Sequence, residues 1–368
     1  MSINPAELLS GPRGRRLCLE LIQRIVGSAP THDELNGALF WAAHALEPEV
    51  ASVAIVSAGA GEPPPPPPST PADVARLLDR VIVDTPDEAA LLDALDAAVA
   101  NARYWQEPDG MDVLGATPEV SEALRRTAAT VADAPGAAWW TTPIDRTGQW
   151  LVELPDRPRA VTGGAGAVLS RWRAEALADE TRARRDRPAD PRETISGTWW
   201  SMPPADLGRT TRRLEPQGPV GLWLIEDDLG RDRGTVRRVV VPDDAIVYEI
   251  DGPRAWADLC ERYPFEVTAD RRHDWYRATG REGRWCLPDW AGVAADYAGV
   301  HLTTAGYLST AGRAIEVSDE LSSVIAGWDP DATWWLTAVS VDEESRQDWR
   351  HDDAAGWIHG MPSEPTGS

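Results

Sequence analysis

Eighteen tryptophans stand against two phenylalanines and six tyrosines in this chain, so any large core it builds has to be filled with indoles. Six of them come as neighbours, at Trp139-Trp140, Trp199-Trp200 and Trp334-Trp335. Successive side chains of a strand point to opposite faces. A Trp-Trp pair in a strand therefore puts one indole into the core and the other on the opposite face. Where that second face meets solvent, it forms an apolar surface of the kind that marks a ligand site or an interface. Where it is covered, the indoles stand in for the missing phenylalanine. Trp199-Trp200 is the pair hardest to cover on both sides, because Ser201 and the prolines Pro203 and Pro204 follow closely.

All 36 basic side chains are arginine, from Arg13 to Arg350, and lysine is absent. This is the profile of a GC-rich genome, and its chemical consequence holds whatever its cause. A P-loop NTPase needs a lysine on the β- and γ-phosphates. A protein kinase needs one on the α- and β-phosphates. Pyridoxal phosphate enzymes need a lysine amine for covalent attachment. These three classes are excluded in their usual form.

The net charge of −23 repels nucleic acid and anionic membrane surfaces, so neither is expected as a partner. No apolar run of 18 residues exists to suggest a membrane span. Cys18, Cys260 and Cys286 form no close-spaced pair of the zinc or redox type. No metal site is expected, and a reducing cytoplasm suits the chain.

The patterning predicts an α+β protein: a mostly helical N-terminal part followed by a mixed, largely antiparallel-sheet C-terminal domain. Residues 1–135 read as helical, with apolar spacing from Ala6 to Ile25 broken at Gly11-Pro12. Helix starts are expected at Thr31, at Pro71, at Thr85-Pro86-Asp87-Glu88 and after Thr117-Pro118. The six prolines Pro63–Pro68 form a stiff loop. Residues 136–192 connect, with strands near Trp139 to Leu154, a turn at Gly163-Gly164-Ala165-Gly166 and a helix from Trp172 to Arg185. Residues 193–340 form the α+β domain with the candidate site. Its expected strands are Ile195–Ser201, Gly221–Glu226, Val236–Val241, Ile246–Ile250, Gly299–Thr303 and Thr333–Val339, with a helix from Arg254 to Tyr263. Residues 341–368 read as an acidic, poorly ordered tail.

Three constellations carry candidate chemistry. Arg209, Arg212 and Arg213 lie in a Gly- and Thr-bearing loop, Leu207 to Leu214, just after Trp199, Trp200 and Ser201. Guanidinium forks match phosphate and carboxylate, and they stack on aromatic rings. Next, Glu226-Asp227-Asp228 closes an apolar run, where a carboxylate such as Glu226 or Asp228 can serve as base or stabilise a cation. The same spelling is also good turn chemistry. Asp329-Pro330-Asp331 is read as a turn. Last, His301 and Tyr307 lie in a polar and aromatic block, with His301 as a candidate general base and Tyr307 as a substrate contact. A lone histidine is more often structural.

Three functional readings follow. The first is a nucleotide- or NAD-binding enzyme of transferase or hydrolase type, with an Arg/Trp-lined pocket in the C-terminal half. The second is a non-catalytic protein-interaction or regulatory module that uses exposed tryptophans. The third is a cofactor-independent tailoring enzyme acting through Glu226 and His301. The partner is accordingly a small molecule or a protein, and the oligomeric state stays open.

Overall fold

The computed structural model describes residues 3–27, 33–47, 69–155, 164–228, 230–352 and 355–360. Thr31, the Pro63–Pro68 run and Gly163 lie outside the described residues. The fold is α+β, with helices concentrated before residue 141 and sheet after it.

The apolar spacing near the N-terminus forms two helices, α1 (Pro5–Ser10) and α2 (Pro12–Gly27), split at Gly11-Pro12. Gly11 is required there: a Cβ would lie 2.1 Å from the Leu308 carbonyl oxygen. Helices α3 (Asp33–Ala45) and α4 (Pro71–Leu78) follow, α4 opened by a Thr70–Asp73 capping box. Helix α5 (Glu88–Ala100) starts on Asp87, whose carboxylate accepts from the Ala90 amide. The expected cap, Thr85, is displaced because aspartate is the stronger N-cap. Helices α6 (Gly110–Ala116), α7 (Pro118–Ala123) and α8 (Arg125–Asp133) complete this part. Trp139 and Trp140 then sit in a 3-10 turn, Pro135–Thr141, so only β1 (Trp150–Glu153) remains of the expected strand region.

Helix α9 (Ala165–Asp186) begins at Gly164, which has a left-handed φ of +79°. The expected loop 207–214 instead contains β2 (Arg209–Thr211) and β3 (Arg213–Leu214), and β3 forms a hairpin with β4 (Gly218–Pro219). The β-branched Thr210 and Thr211 suit a strand. Residues 195–201 and 221–226 form no strand; the latter begin in a 3-10 turn, Val220–Leu222. Further along lie β5 (Arg233–Val240), β6 (Val247–Ile250), α10 (Pro253–Arg262), β7 (Pro264–Glu266), α11 (Thr268–Thr279), β8 (Arg284–Pro288) and α12 (Trp290–Val293). Next come β9 (Gly299–Leu302), α13 (Thr304–Thr310), β10 (Ile315–Glu316), β11 (Leu321–Ser323) and β12 (Thr333–Trp335). The acidic C-terminal stretch is ordered as β13 (Ser340–Asp352) and β14 (Gly356–His359). Its anchors are Trp349 and Trp357, buried against Val152, Leu154, Leu222, Ile225 and Val236. Charge in the intervening residues masked this pattern in the sequence.

The main sheet has the order β14-β13-β5-β1-β2-β12-β9-β6. Its neighbours are antiparallel except β6 and β9. Parallel neighbours need a crossover. Here α10, β7, α11, β8 and α12 supply it, and β7 and β8 join β10 and β11 in a second sheet. One continuous buried cluster runs from Ile3 through the helical part to Leu336. Indoles fill it as their number requires: Trp256, Trp290 and Trp328 meet with ring centroids 5.8–6.1 Å apart. Of the three Trp-Trp pairs only Trp334-Trp335 lies in a strand, and both of its indoles are buried. Trp334 enters the main cluster, while Trp335 joins a separate one with Ile144, Leu151 and Val239.

Candidate functional site

Strand β1 pairs with β5 along all four of its residues, but with β2 only at Trp150 and Leu151. Beyond that pairing, Val152 and Glu153 of β1, Leu154 just after it, and Leu207 and Arg209 on the β2 side line a cleft of about 270 Å³. Val152, Leu154, Trp199, Trp200, Met202 and Trp334 supply its apolar lining. Arg209, Glu226 and Asp329 lie among them, and Asp227 and Arg231 complete the polar lining.

The tryptophan wall is held from behind. The segment leading to it runs along α11, where Asp274 accepts from Ser196 Oγ and from the Gly197 amide, both at 3.1 Å. The Trp199 carbonyl then accepts from Trp275 Nε1 at 2.6 Å. Trp199 and Trp200 meet edge to face, with centroids 5.8 Å apart. Trp200 keeps 40% of its surface exposed. Ser201 is wholly buried; its amide donates to the Ala326 carbonyl at 2.9 Å and its Oγ accepts from the Ala326 amide at 3.0 Å. It therefore clamps the wall to the Ala326-Gly327 turn. Gly327 has φ +74°, and a Cβ there would stand 2.7 Å from the Trp200 Cβ.

The polar groups form one bonded chain. The Arg209 guanidinium donates to one oxygen of Asp329. The other Asp329 oxygen accepts from the Glu226 amide at 2.9 Å, and Glu226 Oε2 accepts from the Gly327 amide at 2.6 Å. Tyr307, on α13, is buried with its hydroxyl beside Glu226 and Tyr104. Burial first, and then the charge of Glu226, pushes its ionisation well above the ordinary tyrosine range, so Tyr307 stays a neutral hydroxyl. Four carboxylates line the cleft (Glu153, Glu226, Asp227 and Asp329) against two guanidiniums, Arg209 and Arg231.

The fold therefore brings Trp199, Trp200, Arg209 and Glu226 together, with Tyr307 behind them. Asp228 stands beside the cleft and accepts from Arg231 at 2.8 Å. Arg212 lies elsewhere: its guanidinium donates to Asp331 at 2.6 Å, to Thr142 Oγ1 at 2.7 Å and to the Pro143 carbonyl at 3.1 Å. It also covers the Trp139 ring at 5.2 Å. Arg213 sits over the rings of Trp150 and Trp349 and donates to Glu215 at 2.5 Å. The three arginines do not form one phosphate cradle.

His301 is buried on β9, outside the cleft lining, between Glu249 at 2.5 Å and Asp331 at 3.3 Å. Burial opposes its charge, but the hydrogen bonds from Asp331 and Glu249 outweigh burial and push its pKa up to about 9. It is thus protonated at neutral pH, in a charge chain that runs Glu249, His301, Asp331, Arg212. Asp331 is held below its usual range despite burial, by His301 and then Arg212.

Asp329, Trp334 and Arg231 also line the cleft, which local sequence pattern does not mark. A longer-range signal exists for the first: Asp329 and Asp331 carry a two-residue spacing that meets Arg209 and Arg212. Among the described residues, no group of three or more His, Cys, Asp or Glu side chains has the arrangement to hold a metal ion. No protein-family model, curated protein or solved structure matches the chain.

Proposed function

We propose that the cleft binds a nucleotide-like small molecule, NAD being the lead candidate, and that the protein is an enzyme of transferase or hydrolase type. One observation carries this: Trp199, Trp200 and Trp334 line the same cleft as the buried Glu226. Indole walls suit a planar heterocycle. The surplus of carboxylates favours a ring that is cationic or electron-poor and disfavours a polyphosphate deep in the cleft. A reaction that leaves positive charge on the ligand, such as loss of a heterocycle from a sugar carbon, is the kind an anionic group assists. In this role Glu226 stabilises the developing charge, Arg209 and Asp329 position it, and Tyr307 backs it.

The test is quenching of tryptophan emission by NAD, nicotinamide mononucleotide and ATP. Saturable quenching by the two nicotinamide ligands is expected, weaker with ATP and lost in Trp200→Ala. Absence of quenching by every ligand overturns the reading.

A further inference from the structure

The cleft, at about 270 Å³, falls below the range of ~300–1,000 Å³ usual for ligand pockets. A dinucleotide with one ring seated in a cleft of that size extends across its rim. Asp227 forms part of that rim, in a left-handed backbone conformation with φ +51°. Aspartate is among the few residue types that adopt this region readily. Two donors from the helical part fix its carboxylate: Trp105 Nε1 reaches Oδ2 at 3.0 Å, and Arg103 Nε reaches Oδ1 at 3.2 Å.

The Trp105 indole is thus pinned by its polar edge while 39% of its surface stays exposed. Other exposed apolar side chains, such as Ile82 and Leu177, have no tie to the cleft lining, and scattered exposure of that sort is ordinary on a protein surface. Trp105 differs because a cleft residue orients it. Arg103 beside it is also partly exposed, and a guanidinium at that place suits a phosphate passing over the rim.

We infer that Trp105 and Arg103 form an outer subsite, which takes the second aromatic ring and the bridging phosphates of a dinucleotide whose first ring lies in the cleft. This rests on the nucleotide reading above, and it assigns a place to the half of a dinucleotide that lies outside the cleft. A base stacked on an exposed indole adds about tenfold to affinity.

The experiment is calorimetric titration of the full chain with NAD and with nicotinamide mononucleotide, for wild type, Trp105→Ala and Trp105→Phe. Wild type is expected to bind NAD about tenfold more tightly than the mononucleotide. Trp105→Ala abolishes that difference and leaves mononucleotide affinity unchanged, while Trp105→Phe, which keeps a ring, retains most of it. An unchanged NAD-to-mononucleotide ratio in Trp105→Ala overturns the subsite, as does an equal loss for both ligands. A Trp105→Ala chain that changes only its self-association by sedimentation also overturns it, in favour of a protein contact. Failure of wild type to bind either ligand is a separate result: it removes the cleft reading and the subsite with it.

Discussion

Asp329 takes the Arg209 guanidinium on one carboxylate oxygen and the Glu226 amide on the other. Both side chains of the ion pair are buried. Removing one partner of a buried pair leaves an uncompensated charge, at a cost of about 3–5 kcal/mol. Asp329→Ala is expected to lose that much stability by urea denaturation. Asp329→Asn, which keeps the shape and one acceptor, should lose less. Equal, small losses in both would show that the pair does not support the cleft.

His301 gives stability a pH dependence of known sign. Its folded pKa is raised, from 6.5 to about 9, so the proton binds the folded state more tightly. The contribution is fully present below pH 6.5 and is lost as pH rises through 9. At 1.36 kcal/mol per pH unit this amounts to about 3 kcal/mol. Denaturation at pH 6 and at pH 9.5 should therefore differ more for wild type than for His301→Gln. Parallel pH profiles would contradict the charge chain from Glu249 to Arg212.

Gly327→Ala should be costly although it adds one methyl group. A left-handed backbone conformation costs a non-glycine residue about 1–2 kcal/mol, and the new Cβ would stand 2.7 Å from that of Trp200. Trp200 must move. We expect a loss of roughly 1–3 kcal/mol together with a shift in tryptophan emission. Wild-type stability with unchanged emission would contradict the packing of Gly327 on the indole wall.

Deleting residues 340–368 should abolish cooperative folding. The deletion removes β13 and β14, and with them Trp349 and Trp357, whose burial completes a cluster with Leu222, Ile225 and Val236. A truncated chain that melts at the wild-type temperature would return this segment to the status of a tail.

Features read from local chemistry survive in the structure where one residue type dictates them. The break at Gly11-Pro12 and the Pro71 helix start follow from proline and capping chemistry, and each is where the sequence placed it. Alternation also located β5, β6 and β9 to within a few residues. Longer-range outcomes were not legible. Residues 221–226 are apolar enough for a strand, yet they begin in a 3-10 turn and pair with no ladder, and Leu222 and Ile225 are buried instead against Val236, Trp349 and Trp357. The three arginines after Trp200 look alike in sequence. They separate because Asp329, Asp331 and the Trp150–Trp349 pair, all distant in the chain, claim one each. The acidic stretch after residue 340 hid two strands because only Trp349 and Trp357 mark the buried side.

Crystals of the full chain soaked with NAD would test the nucleotide reading most directly. Difference density for a planar ring is expected between Trp200 and Trp334, within hydrogen-bonding or ion-pair distance of the Glu226 carboxylate. A ring bound elsewhere on the molecule, with the cleft between β1 and β2 filled by water alone, would contradict it.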